Sequence, residues 1–379
     1  MIREDRIKSN FIRLAHFDSE TFHEKEIGKF LTEKLKDLGL EVRTDTTNEE
    51  FLKKHPDSHP NIYGFLKGNT KSESILFSSH MDTVAPGKNK KVIIDESGSI
   101  HSKGDTVLGA DDISGITAIL EALNVIKEEK LLHPDIEVLI TSSEEAFCEG
   151  SKFLKEEILK SKKAYVLDLS GPIGRAAVSA PAIISFEIEV EGLAAHAGFE
   201  PEKGINALNI AVSALAKIPT GKVEADTTVN VGTIEGGTGK NIVPEKIRLT
   251  GEVRSLQTEK ANRKVEEIEE IFKAEALKAG GKIKITKTEH IKAFRRKETD
   301  AVVHNFLRAC QKNKIHSQLI TTFGGSDANR LNEWGIQTIV SACGMEDVHT
   351  TREHSHVNEI KKAAELVLKL MTVQEVKND

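Results

Sequence analysis

Cysteine is scarce in this chain, with three residues in 379: Cys148, Cys310 and Cys343. They are far apart, odd in number and in no CxxC spacing, which excludes a disulfide scaffold and a thiolate zinc site and suits a reducing compartment. Basic charge is not in excess. The sum of 53 Lys and Arg against 59 Asp and Glu is −6, with a pI near 6.2. No global positive field exists to hold nucleic acid or an anionic membrane surface. No apolar run approaches the ~18 residues a membrane span needs, and the opening MIREDRIKSN reads as no secretory leader. Internal repeats and low-complexity segments are also lacking. No Gly-x-Ser-x-Gly elbow supports Ser-His-Asp hydrolysis. The run Glu235–Lys240 (EGGTGK) imitates a phosphate loop, but Ile234 stands where that loop needs Gly and Asn241 where it needs Ser or Thr. The expectation is a soluble, cytoplasmic protein that takes neither nucleic acid nor membrane as partner.

Hydrophobic residues make up 38% of the chain and charged residues 30%, enough for a large core. At ~150 residues per domain, the length suggests two or three domains, or one interrupted by an insertion. Residues 20–40 carry apolar side chains at helical spacing, ending at Gly39. Strands are expected at 74–79, 136–141 and 164–169, alternating with helices at 113–127 and 151–159. That rhythm predicts a doubly wound, mostly parallel α/β sheet. After Gly171 the pattern changes. Residues 183–191 alternate with period two, 204–217 are helical, 228–234 and 242–253 read as strands, 258–279 as a charged helix and 282–287 as a strand. This β-α-β-β-α-β order is the ferredoxin-like signature. From about 293 the α/β rhythm resumes, with a helix at 298–312, strands at 317–322 and 336–340, and a helix at 359–372. The economical reading is one α/β domain, 1–175 and 293–379, interrupted by an inserted α+β domain, 176–292.

Chemistry-bearing residues gather at predicted strand ends, where α/β folds place their sites. His80-Met81-Asp82 follows one strand, Asp111-Asp112 precedes a helix, Glu144-Glu145 follows another strand, Asp168 closes a third, and His349 follows a strand and loop. Neutral imidazole and carboxylate suit a zinc-like divalent ion. Two His and three carboxylates hold two metals if one carboxylate bridges. In the glutamate pair, one member can ligate while its neighbour takes a proton from water. Asp82 could accept the second N–H of His80 and fix its tautomer. Singly, each element also reads as a helix cap or a solvated turn. Their co-occurrence at one sheet edge carries the argument.

These motifs, Ser79-His80-Met81-Asp82-Thr83, Gly109-Ala110-Asp111-Asp112, Ser143-Glu144-Glu145, Asp168 and His349 with Glu353 four residues on, resemble the co-catalytic di-zinc exopeptidases. That family includes peptidase T, glutamate carboxypeptidase and aminoacylase. The resemblance spans essentially the whole chain, and LGADDISGITAILEAL with HMDT looks most like the peptidase T-like branch. It implies two divalent ions per chain, zinc with cobalt or manganese as alternatives. Asp111 would bridge them, with His80 and Asp168 on one site and Glu145 and His349 on the other. Glu144 would be the general base and later the acid, and Asp82 the orienter of His80. A cis peptide is implied at Asp111-Asp112. His354 and His356 compete locally with His349 but lack its spacing to Glu353. In the inserted domain the resemblance makes His196 an oxyanion ligand reaching the partner subunit's site, with Asn241 and Arg254 gripping substrate polar groups. It thus implies a homodimer formed through that domain. Residues Phe323–Ala328 resemble a substrate-side loop, and the stretch Ala146–Gly150 is bulkier than in peptidase T itself. The expected activity is hydrolysis of a peptide bond in short peptides by a two-metal-activated water, as in aminopeptidases and tripeptidases. Alternatives are an amidohydrolase for N-acyl amino acids, a carboxypeptidase-type substrate on the same site, and a metal-binding relative without activity.

Overall fold

A computed structural model describes residues 1–44 and 49–372. The chain divides into two units, Met1–Ser179 with Arg295–Thr322 and Ser326–Asp379, and Ala180–Phe294 with Phe323–Gly325. Among the described residues no helix is long and apolar enough to cross a membrane.

The first unit is built on a mixed sheet. Its strands run in the order Glu41–Thr44, Ile62–Leu66, Ile136–Thr141, Ile75–His80, Lys163–Leu169, Gln337–Ala342 and Arg175–Ala180. The strand Ile75–His80 is parallel to both neighbours, and Lys163–Leu169 is parallel to Gln337–Ala342. The chain leaves Ile75–His80 through a helix to Ile136–Thr141 on one side, then crosses to Lys163–Leu169 on the other. This is a topological switch point, and the crevice beyond the carboxyl ends of these strands is where open α/β sheets bind ligands. The helix Ala110–Glu129 is apolar nearly all round, and it is buried nearly all round, packed against the helices Glu4–Ala15 and Val357–Met371. Its buried acid Glu121 is satisfied by Arg6 (Nε–Oε2 2.5 Å, Nη2–Oε1 2.9 Å) and by the Arg3 amide.

The second unit is an antiparallel sheet ordered Gly221–Glu224, Thr227–Gly236, Lys246–Ser255, Ala182–Glu191 and Lys282–Ile291. Along Ala182–Glu191, Ile184, Phe186, Ile188 and Val190 are buried with the helices Ala207–Leu215 and Thr258–Ala279, while Ser185, Glu187 and Glu189 point away. This is the ferredoxin-like order with one added edge strand.

Some elements differ from expectation. The helix expected over 151–159 is two 3-10 turns, Gly150–Phe153 and Glu156–Ile158. The backbone N–H groups of Lys160 and Ser161 beyond it donate to the buried Glu137 carboxylate at 2.9 and 2.7 Å, so the chain straightens. The strand expected from 242 begins at Lys246, because the Val243 amide donates to Ala195 and the segment before Pro244 belongs to a loop. Not foreseen were the helices Glu4–Ala15 and Asp327–Glu333 and a small sheet of Val92–Ile94, Ser99–Ser102, His354–His356 and Met345–Glu346.

Gly115 lets the central helix touch the strand that ends beside Asp168. A Cβ there would lie 2.5 Å from both the Leu167 carbonyl oxygen and Asp112 Oδ1. Gly115→Ala is expected to destabilise metal-free protein by about 1–3 kcal/mol through overpacking. A urea melt with an unchanged midpoint would refute this.

Candidate metal centre

Three strand ends, one helix start and one hairpin loop bring the site together. His80 is the last residue of its strand and Thr141 its parallel register partner, so Glu144 and Glu145 follow within one turn of chain. Asp168 is the penultimate residue of Lys163–Leu169. Asp111 lies at the start of the central helix in a non-helical conformation, and the Asp111–Asp112 peptide is cis. His349, at φ +62°, sits in the loop of the hairpin formed by Met345–Glu346 and His354–His356.

The contacts are short. His80 Nε2 is 3.0 Å from Asp111 Oδ1 and 3.9 Å from Asp168 Oδ1. His349 Nε2 is 3.0 Å from Glu145 Oε1 and 3.3 Å from Asp111 Oδ2. The two oxygens of Asp111 therefore face different imidazoles. Three donor groups arise, each with its atoms within 4.8 Å of one another: His80 with Asp111 and Asp168, Asp111 with Glu145 and His349, and His80 with Glu144 and Glu145. The first two share Asp111. By contrast, His354 and His356 are strand residues lining a separate cleft with Pro172 and Ile173.

Electrostatics set the requirement. Burial pushes Glu144 and Asp168 well above the usual carboxylate range, and neighbouring carboxylates push both further. Glu145 is raised by burial and by Asp111. Bonds to Asp111 and Glu145 lift His349 to about 10. Burial alone would lower His80, but its contacts to Asp111 and Asp82 hold it well above normal. Among the described residues, the ion pairs of these carboxylates are with the two imidazoles. Buried negative charge on this scale needs a compensating cation, and imidazole with carboxylate is the donor set for zinc-like ions. The residues fit two divalent ions.

A ring of acids around the site holds backbone. Asp82 accepts from the amides of Glu144 (2.9 Å) and Glu145 (3.2 Å) and from Thr21 Oγ1 (3.0 Å). Its carbonyl oxygen is 3.0 Å from His80 Nδ1, nearer than its carboxylate at 3.4 Å. With Nδ1–H so engaged, Nε2 is left with its lone pair. Glu353 accepts from the amides of Gly109 (2.7 Å) and Asp111 (2.9 Å). Glu24 accepts from the amide and hydroxyl of Ser143 and from Ser58. Burial lifts both Glu24 and Glu353 to about 7. Glu24 carries no sequence signal, since an acid before a helix reads as an N-terminal charge.

In the second unit, His196 and Asn241 come together. His196 bridges Ile242, and the Ala197 amide donates to the Asn241 carbonyl at 2.9 Å. His196 is exposed, stacks on Phe199, and its Nδ1 accepts from the amides of Gly198 and Phe199 at 3.1 Å. Arg254 is half-buried, its fork filled by Glu252 (2.7 and 3.1 Å) and its Nη1 donating to the Phe323 carbonyl.

Such a centre at the switch point of a parallel sheet defines a metal-dependent hydrolase. Residues 178–280 match a peptidase dimerisation domain, and residues 61–197 match peptidase family M28. Aminopeptidase PepT from Bacillus cereus superposes with a TM-score of 0.89 at 39% identity, covering 98% of both chains. A tripeptidase from Staphylococcus aureus superposes at 0.92 with 34% identity, covering 98% of this chain and 99% of that one. An uncharacterised Bacillus subtilis protein is 38% identical over 98% of this chain and 99% of its own. The chain belongs to the peptidase T-like branch of the M20 metallopeptidases. It is a metallo-exopeptidase.

The Glu353 clamp holds the backbone on both sides of Ala110. Glu353→Gln is expected to lower metal affinity by about 10–100-fold, as loss of an outer partner does. Competition with a coloured chelator measures this, and an unchanged affinity would show the clamp to be dispensable.

Proposed function

We propose that the enzyme removes the N-terminal residue from short peptides, as an aminopeptidase of the tripeptidase type. The observation that carries this reading is the pair of donor groups sharing Asp111, with buried Glu144 beside them. Asp111 would bridge two ions, zinc in preference to cobalt or manganese. His80 and Asp168 would complete one site, Glu145 and His349 the other. The bound ions would polarise the scissile carbonyl and make water a nucleophile at neutral pH.

The chain's own residues do the rest. Glu144 takes the proton from the attacking water and returns it to the leaving amine, a role its buried carboxyl, pushed well above the usual carboxylate range, suits. Asp82 holds the Glu144-Glu145 backbone and, through its carbonyl, the His80 tautomer. His196 accepts two amide protons at Nδ1, so its neutral ring carries hydrogen on Nε2 and can donate to an oxyanion. We assign that donor to the partner subunit's site in a homodimer built through the second unit. Exposed Leu208, Val212 and Ile234 in that unit support a self-complementary contact. Asn241 and Arg254 are assigned to substrate polar groups, although a substrate carboxylate would have to share the Arg254 fork with Glu252. Three buried, unpaired cysteines support a reducing compartment, the cytoplasm.

A panel of free and N-acetylated di- and tripeptides tests the substrate class. Free tripeptides should be cleaved, blocked ones spared, and exhaustive chelation should abolish turnover until zinc or cobalt is added. Preferential cleavage of blocked substrates would instead establish the amidohydrolase or carboxypeptidase alternative.

The two glutamates should separate cleanly. Glu144→Gln should keep its metal yet lose about 10²–10⁴-fold in rate, whereas Glu145→Gln should lose metal. An active Glu144→Gln enzyme would remove the base assignment.

A further inference from the structure

Cys148 is buried, and its thiol donates to Glu144 Oε1 at 3.3 Å. The contact is built into the turn. Ser143, Phe147 and Cys148 all adopt left-handed φ values of 51°, 60° and 55°, which non-glycine residues rarely occupy. The Cys148 amide donates to the Glu144 carbonyl at 2.6 Å and the Glu149 amide to the Ser143 carbonyl at 3.0 Å, closing the loop on itself. The Ser151 hydroxyl donates to the Cys148 carbonyl at 3.1 Å. Gly150 is obligatory for this closure, since a Cβ would stand 2.0 Å from the Ser142 carbonyl oxygen. The chain thus bends back and places one sulfur against one oxygen of the base.

We propose that Cys148 is a positioning residue for Glu144, its S–H fixing Oε1 so that Oε2 is presented to the attacking water. The inference rests on Glu144 being the base. Burial and the carboxylates of Glu144 and Asp327 hold the thiol well above its ordinary range, so it remains a donor. A metal-binding role is unsupported, because the donor groups among the described residues contain no cysteine. A carboxylate on a flexible two-methylene stem otherwise samples several rotamers, and a fixed one meets the demand for geometry that proton transfer makes.

Serine and alanine separate donation from packing. If the thiol acts by donating, Cys148→Ala should lower kcat by about tenfold, the scale of a hydrogen bond to a charged group. KM, metal content and melting temperature should hold, and Cys148→Ser should recover most of the rate. If the sulfur merely fills space, Ser should be no better than Ala, because it buries a polar hydroxyl. That ranking, or a fully active Cys148→Ala enzyme, overturns the proposal. An infrared measurement on metal-free protein is independent of turnover. The S–H stretching band lost in Cys148→Ser should move to the free-thiol position in Glu144→Ala, and an unmoved band refutes the contact. Failure of the base assignment reads out separately, as retained activity in Glu144→Gln.

Discussion

Buried like charge is the constraint on which the rest of this structure depends. Asp111, Glu144, Glu145 and Asp168 converge with two imidazoles at the carboxyl ends of parallel strands, and burial works against the ionised form of each. Coulomb repulsion between carboxylates a few ångströms apart amounts to several kcal/mol at an effective dielectric of ~20. A bound cation or protonation relieves it. Folding without metal must therefore protonate some of these groups, whereas folding with two dications converts the same repulsion into coordination. Metal binding at such a centre is thereby coupled to folding.

Because the clustered carboxylates repel, backbone is held by acids outside the donor groups. Asp82, Glu353 and Glu24 each accept from two or more amide or hydroxyl donors around the ligand-bearing turns. A second circle of acids adds negative charge where it is already in excess. Yet a carboxylate accepting several N–H bonds is a strong fixture, and charge-assisted bonds are about twice as strong as neutral ones. Glu353 does more than brace. It sits four residues from His349 and bonds the backbone of Asp111, so the loop that carries one donor imidazole also fixes the carboxylate that two donor groups share. That coupling ties the small sheet to the central helix.

How far the chain could be read in advance follows from this physics. The parallel sheet and the ferredoxin-like insertion were legible, because buried strands such as 136–141 and alternating ones such as 183–191 leave period and composition on the sequence. His80, Glu145 and Asp168 stood out as charged or imidazole groups where apolar strands end, Asp111 as an acid opening a helix, and His349 as an imidazole in the loop after a strand. The structure places all five in mutually sharing donor groups. Glu24 was not legible, since its role depends on Ser143 and Ser58, remote in sequence. Nor was the small sheet, whose strands are two to four residues long and carry no detectable period. It is that sheet which separates His349 from His354 and His356: a hairpin loop brings one imidazole against Glu145 and Asp111, and the returning strand assigns the other two to another cleft.

In the turn 143–150 the proposed base and a proposed ligand are sequence neighbours with separate jobs. Glu145 Oε1 contacts His349, whereas Glu144 is buried with its Oε1 against Cys148, so the two carboxyls take different partners. An inward carboxylate that ligated would be useless as a base, because its lone pairs would be occupied. One that was fully solvated would be too acidic to hold a proton between the two halves of the reaction. Burial supplies the second property. The first needs something other than a metal to occupy one oxygen, and within this turn the group in contact is the Cys148 thiol. A neutral donor fills that place with little added charge stabilisation, so it orients the carboxyl while leaving most of its basicity. A lysine there would orient as well and acidify it. The choice of a weak donor is the one consistent with a group that must both take a proton and give it back.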